Sequence, residues 1–210
     1  MVPPGYTLTN TLIALYGVPG TGKSTAAACL SMRFDGALVI STDIIRAFAV
    51  SQGMEQSVWL NRTSHDAWQL LGNKTETNVL EGFRRHSEAV LMLIEPMLEQ
   101  LFRKHKLVIL EGVHMTQELM GRLSTRVGRL LPVYLSIDES VHGSRLEKKA
   151  GARVQADNVW QRNYDVLQKI DVYLKSLDHE HKIEACPRDQ RELHALVEQF
   201  VAEGVLKPCT

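Results

Sequence analysis

Cysteine is scarce in this 210-residue chain: Cys29, Cys186 and Cys209 are far apart and outside any metal-type pairing. That excludes a disulfide framework or a zinc module as the basis of the fold and suits reduced thiols in a cytosolic setting. Excess charge of either sign is also missing, with 24 basic and 24 acidic residues. No global field favours nucleic acid or a membrane surface, so any anion must be held by local clusters. No apolar run approaches the roughly 20 residues of a bilayer-spanning helix, and the first residues carry no basic leader. The expectation is a soluble cytoplasmic protein. Aromatic and basic residues do not interleave as on a single-strand nucleic-acid platform. The eight histidines form no pair in a metal-ligand context, no Ser-His-Asp or Cys-His order stands out, and internal repeats are absent.

What is present is the stretch from Gly17 to Ser24, Gly-Val-Pro-Gly-Thr-Gly-Lys-Ser. It fits the Walker A, or phosphate-binding loop, pattern, and it lies between an apolar run of strand length (11–16) and an Ala-rich helical run (25–31). Glycines at 17, 20 and 22 let successive amides point inward at an anion, and the following helix adds its positive end. Gly17, Pro19, Gly20, Thr21, Gly22, Lys23, Ser24 and Thr25 are therefore the candidate ATP-binding residues. Lys23 would reach the outer phosphates and Ser24 would place its hydroxyl on Mg2+.

The remaining pattern predicts one α/β domain over 1–210. Further strands are expected at 37–40, 107–110, 131–137 and, weakly, 183–186. Helices are expected at 44–50, 56–71, 89–102 with a kink or break at Pro96, 115–130, from about 159 to 177, and 188–202. Strands alternating with helices imply a parallel sheet of about five strands, covered on both faces, with ligands at the carboxyl ends of the strands. Residues just after strand ends should then share one crevice: the phosphate loop, Asp43, Glu111 to His114, and Asp138 onward.

Phosphoryl transfer needs metal support, a group to orient or deprotonate the acceptor, and positive charge over the moving phosphoryl. Glu111 ends an apolar strand and could hold the metal with Ser24, although it also suits a cap. Asp43 and Arg46 share a helix face at its start. The aspartate could take the acceptor's proton while the arginine holds an anionic part of it; a plain helix cap is the alternative for Asp43. The basic segment from about 140 to 162 reads as a lid, or else as a solvated charged face, with Arg145 and Arg153 its leading catalytic candidates. Arg84 and Arg85 form a second cluster able to meet an anionic acceptor, or are surface charges. His114 is a further candidate at the crevice, with a structural hydrogen bond as its other reading.

With these residues in hand, the chain resembles the 2-phosphoglycerate kinase family of P-loop small-molecule kinases. The resemblance rests on Gly17 to Thr25, Ser41-Thr42-Asp43-Ile44-Ile45-Arg46, Gly82-Phe83, Glu111-Gly112-Val113-His114, and Ile137 to His142 leading to Arg145. It implies a P-loop NTPase, nucleotide-kinase-like three-layer fold and ATP-dependent phosphorylation of the free hydroxyl of 2-phosphoglycerate or a similar phosphorylated polyol. Two alternatives stay open: a nucleoside, nucleotide or polynucleotide 5′-hydroxyl kinase, and an ATP-binding regulatory module without kinase activity. A nucleic-acid or membrane partner is not expected.

Overall fold

The computed structural model of the chain describes residues 6–7, 10–34, 37–53, 57–151, 163–179, 183–185, 195 and 207–208. Strand β1 (Tyr6–Thr7) pairs antiparallel with the distant β7 (Lys207–Pro208). The body is a five-stranded parallel sheet of β2 (Thr11–Tyr16), β3 (Leu38–Ser41), β4 (Leu107–Gly112), β5 (Arg129–Leu135) and β6 (Ile183–Ala185), in the order β3-β4-β2-β5-β6. Both β2 and β4 are buried at every position, as strands covered on both faces must be.

Alternate residues of each strand feed two cores. Leu12, Ala14, Tyr16, Val108 and Leu110 pack with residues of α3 (Glu76–Phe102), α4 (Gln117–Arg126) and α6 (Tyr164–Ser176). Ile13, Leu15, Ile109 and Val133 meet Ala26, Ala27 and Leu30 of α1 (Lys23–Arg33) on the other face. Cys29 is only partly buried against this second core. The three layers follow directly from the period-two alternation.

Because β4 lies between β2 and β3, the chain leaves β2 in one direction through α1 to β3, and leaves β4 in the other through α4 to β5. Such a switch point opens a crevice at the carboxyl edge. The register sets what borders it: Tyr16 lies opposite Gly112 and Tyr134, and Ser41 opposite Glu111.

Several elements differ from expectation. Residues 57–66 form turns, and only Ala67–Leu70 is helical, as one 3₁₀ turn. Helix α2 spans Thr42–Ser51, with Asp43 inside its first turn; no side chain caps it. Helix α3 starts at Glu76, capped by Thr75, and runs unbroken through Pro96. Proline removes one hydrogen bond and pushes aside the carbonyl four residues back, here that of Met92. Met92 is 66% exposed, which puts that turn of α3 on the solvent side. Helix α4 is shorter than predicted, and β5 starts and ends two residues early. The helix expected at 188–202 lies outside the described residues apart from Ala195, which is helical.

Candidate active site

The phosphate loop joins β2 to α1. Gly20 and Gly22 have φ of 94° and 97°, which side-chain-bearing residues rarely adopt, and a Cβ on Gly17 would stand 2.3 Å from the Leu135 carbonyl oxygen. Within the loop, Thr21 Oγ1 donates to the Val18 carbonyl at 3.0 Å and Lys23 Nζ donates to the same oxygen at 2.9 Å. The Lys23 side chain is thus folded into the loop it is expected to serve. Ser24, at the second position of α1, donates its hydroxyl to Glu111 Oε2 at 3.3 Å across 87 residues of sequence. An oxygen pair of this kind beside an anion-binding loop suits a hard divalent cation shared with phosphates.

Asp43 stands one strand away, beyond Ser41, the register partner of Glu111. Its side chain is 71% exposed, and no hydrogen-bond donor reaches its carboxylate among the described residues. Arg46, one turn on, donates through Nη1 to the carbonyls of Leu60 (3.0 Å) and Arg62 (3.2 Å). It therefore pins the irregular 57–66 segment against α2.

His114 is placed differently from a residue that touches an acceptor. It is buried, with both ring nitrogens engaged inside the protein: Nδ1 is 2.7 Å from Thr42 Oγ1 and Nε2 is 2.9 Å from His86 Nε2. Burial first, then the neighbouring His86, Arg46 and Lys23, hold its pKa well below the usual imidazole value, so it is neutral. His86 is fully buried, and desolvation pushes its pKa down to about 4. Its Nδ1 lies 2.8 Å from the Trp59 carbonyl. Of the two readings of His114, these partners match the structural hydrogen bond. His86 escaped notice in the sequence, although it falls on the apolar stripe of α3 with Val79, Phe83, Val90 and Ile94.

Arg84 and Arg85 lie elsewhere. They line a 460 Å³ cavity with Trp59, Thr116, Glu118 and Arg122; no residue of the phosphate loop, nor Asp43 or Arg46, borders it. Arg84 bonds to Glu118, Arg85 donates to Glu81 at 2.7 Å, and the Arg85 guanidinium lies 5.4 Å from the Trp59 ring centroid. Burial works to lower the Arg84 pKa, but Glu118 raises it, while a backbone hydrogen bond first and then Arg84 lower that of Glu118.

The first part of the expected lid is an ordered helix, α5 (Glu139–Gly151), packed on the phosphate loop. Asp138 Oδ1 accepts from the Ser140 amide at 2.9 Å and starts the helix. His142 Nε2 donates to the Pro19 carbonyl at 2.8 Å, and Arg145 Nη1 lies 3.5 Å from the Gly20 carbonyl oxygen. Arg153 and the segment 152–162 lie outside the described residues. Among the described residues no group of three or more His, Cys, Asp or Glu gathers to hold a metal, and no helix is long and apolar enough to cross a membrane.

A family model described as an AAA domain matches residues 12–170, from β2 through the phosphate loop, Glu111 and α5 into α6. The chain belongs to that family. The chain is 28% identical over 180 residues to a 2-phosphoglycerate kinase of Methanococcus vannielii, a match that covers 82% of the chain and 58% of that protein. It is 23% identical over 142 residues to mevalonate-3-phosphate 5-kinase of Thermoplasma acidophilum, covering 68% of the chain and 69% of the relative. The resemblance to 2-phosphoglycerate kinases thus extends over most of the chain, while the chain spans 58% of the length of the first such relatives. Among solved structures, shikimate kinase from Acinetobacter baumannii in complex with shikimate superposes with a TM-score of 0.51 at 20% identity, covering 94% of this chain and 93% of that one. A sugar kinase from Janibacter gives 0.54 at 16% identity over 94% and 98%. The fold is that of the P-loop kinases.

Proposed function

We propose that the protein transfers the γ-phosphoryl group of ATP to the free hydroxyl of a small phosphorylated hydroxy acid, with 2-phosphoglycerate the leading acceptor. The observation that carries this reading is the meeting of Ser24 and Glu111 at 3.3 Å while Asp43, one strand over, keeps an exposed carboxylate. A module that only bound nucleotide would need the loop alone. The similarity to 2-phosphoglycerate kinases and to a mevalonate-3-phosphate kinase supports a phosphorylated acceptor.

The loop amides and Lys23 would hold the phosphates of ATP. Ser24 and, through water, Glu111 would hold Mg2+, which neutralises phosphate charge when bound. Asp43 accepts the hydroxyl proton as the acceptor oxygen bonds to the γ-phosphorus and the bond to the β,γ-bridging oxygen breaks, releasing ADP. Arg46 is the candidate for the acceptor's anionic group, since only Nη1 of its guanidinium is engaged among the described residues. Arg145, close above the loop, and Arg153 would add positive charge over the transferred group. Arg84 and Arg85 would have to leave Glu118 and Glu81 to meet an acceptor, which makes them secondary candidates.

The test is a panel of phosphorylated hydroxy acids and polyols, nucleosides and 5′-hydroxyl oligonucleotides, each with ATP and Mg2+ and read by product mass. A phosphorylated hydroxy acid gaining one phosphoryl group supports the reading. Transfer to nucleosides or oligonucleotides alone, or no transfer by a chain that binds ATP, refutes it. Asp43→Asn should abolish transfer and leave ATP affinity within about threefold; unchanged turnover would remove Asp43 from the chemistry.

A further inference from the structure

Thr42, His114, His86 and the Trp59 carbonyl form a chain of three short hydrogen bonds, 2.7, 2.9 and 2.8 Å, the first two buried and the last partly buried. Its direction is fixed at one end. A backbone carbonyl can only accept, so His86 Nδ1 carries a hydrogen. A neutral His86 then has a bare Nε2, which must accept from His114 Nε2–H. His114 in turn has a bare Nδ1, which must accept from the Thr42 hydroxyl. Every link follows from the one before it.

The open end of this chain lies at the reacting side of the crevice. His114 Nδ1 is 3.9 Å from Asp43 Oδ1, too long for a hydrogen bond but close enough for an N–H there to matter. A bare Nδ1 offers Asp43 no proton, and a Thr42 hydroxyl already donating to His114 offers none either. Were the tautomer reversed, His114 Nδ1–H would turn its positive end toward the neighbourhood of Asp43, and the Thr42 hydroxyl would be freed as a donor beside it. Both changes would make the carboxylate a poorer proton acceptor.

We propose that His86 is a positioning residue. By accepting from His114 Nε2–H it locks His114 in one tautomer and keeps Asp43 free of competing donors. The proposal rests on the reading of Asp43 as the base. Two further features fit it. A Cβ on Gly112 would lie 1.8 Å from Thr42 Oγ1, so a residue without a side chain is what lets Thr42 approach β4 closely. The far end of the chain is anchored on Trp59, one residue before the carbonyl that Arg46 holds. The irregular 57–66 segment is therefore tied to the start of α2 twice, by Arg46 directly and by the histidines through the core.

The experiment compares the full chain with His86→Gln, whose side-chain oxygen can still accept from His114, and His86→Leu, which cannot. Nitrogen-15 NMR of labelled imidazoles reads the tautomer of His114 without reference to activity. The expected result is hydrogen on Nε2 in the parent and in His86→Gln, and hydrogen wholly or partly on Nδ1 in His86→Leu. Turnover with the acceptor identified by the panel should fall about tenfold in His86→Leu, with the KM for ATP within about threefold, and recover in His86→Gln. Hydrogen on Nδ1 of His114 in the parent protein overturns the proposal, and that measurement stands even if His86→Leu fails to fold. A reversed tautomer in His86→Leu with undiminished turnover also overturns it. Asp43→Asn separates the two claims: if that variant is inactive the base reading survives the loss of this proposal, and if it is active both fall.

Discussion

Between about pH 7 and pH 5 the protein should lose stability because His86 and His114 are buried as neutral imidazoles. The unfolded chain protonates a histidine near pH 6.5, whereas burial holds His86 down to about 4 in the folded state. A base whose folded pKa is depressed leaves the unfolded state holding more protons in this window, so stability is complete above about pH 6.5 and falls as the pH drops toward 4. For His86 the loss from pH 7 to pH 5 is about 2 kcal/mol, and His114, held down in the same direction by burial and by His86 itself, adds to it. His65, also pushed down mainly by burial, adds in the same sense, while Asp171, whose carboxyl burial pushes up, opposes it. The informative quantity is therefore a difference between two proteins. Urea unfolding of the parent and of His86→Gln at a series of pH values should give a parent curve steeper by about 2 kcal/mol over the window. Parallel curves would mean that His86 titrates alike folded and unfolded, and the buried neutral chain would be wrong.

Gly112→Ala forces Thr42 away from β4, since the new Cβ would overlap its Oγ1, and should cost about 1–3 kcal/mol in chemical denaturation while breaking the Thr42–His114 bond. Unchanged stability would refute the tight packing there. Glu111→Gln should raise the Mg2+ concentration needed for half-maximal turnover by about tenfold, with ATP affinity measured without metal nearly unchanged; equal Mg2+ dependence would remove Glu111 from the metal's surroundings. Arg46→Ala should raise the acceptor KM about tenfold or more and loosen the 57–66 segment, visible as faster amide exchange at Leu60 and Arg62, whereas Arg84→Ala should change the acceptor KM less than about threefold. The reverse ranking would move the acceptor to the cavity of Arg84 and Arg85.

The layers and the nucleotide half of the crevice were readable in the chain because they depend on local patterns. Gly17 to Ser24 carries its backbone requirements in its glycines, and β2 and β4 announce full burial by unbroken apolar runs. The 57–71 region misled because apolar residues such as Trp59 and Trp68 suggest a helix, while its backbone is held by partners remote in sequence: Arg46 on Leu60 and Arg62, and His86 on Trp59. Pro96 misled because the break it threatens falls on the solvent side of α3. Of the 140–162 segment expected as a lid, the described part is a helix, which Asp138 caps and His142 seats on the loop, two contacts that basic composition does not reveal. The histidine chain depends on two residues 28 apart that meet only once α3 lies over β4. Its one sequence signal is that His86 interrupts an otherwise apolar stripe, since a polar side chain buried there needs a partner.

The most direct test of the proposed chemistry is phosphorus-31 NMR of the protein with ATP, Mg2+ and 2-phosphoglycerate. Transfer to the free hydroxyl predicts a second phosphoester resonance on the acceptor that grows in step with ADP, and no such resonance with Lys23→Ala. Release of inorganic phosphate with the acceptor unchanged, or transfer to none of the phosphorylated hydroxy acids and polyols, would contradict it.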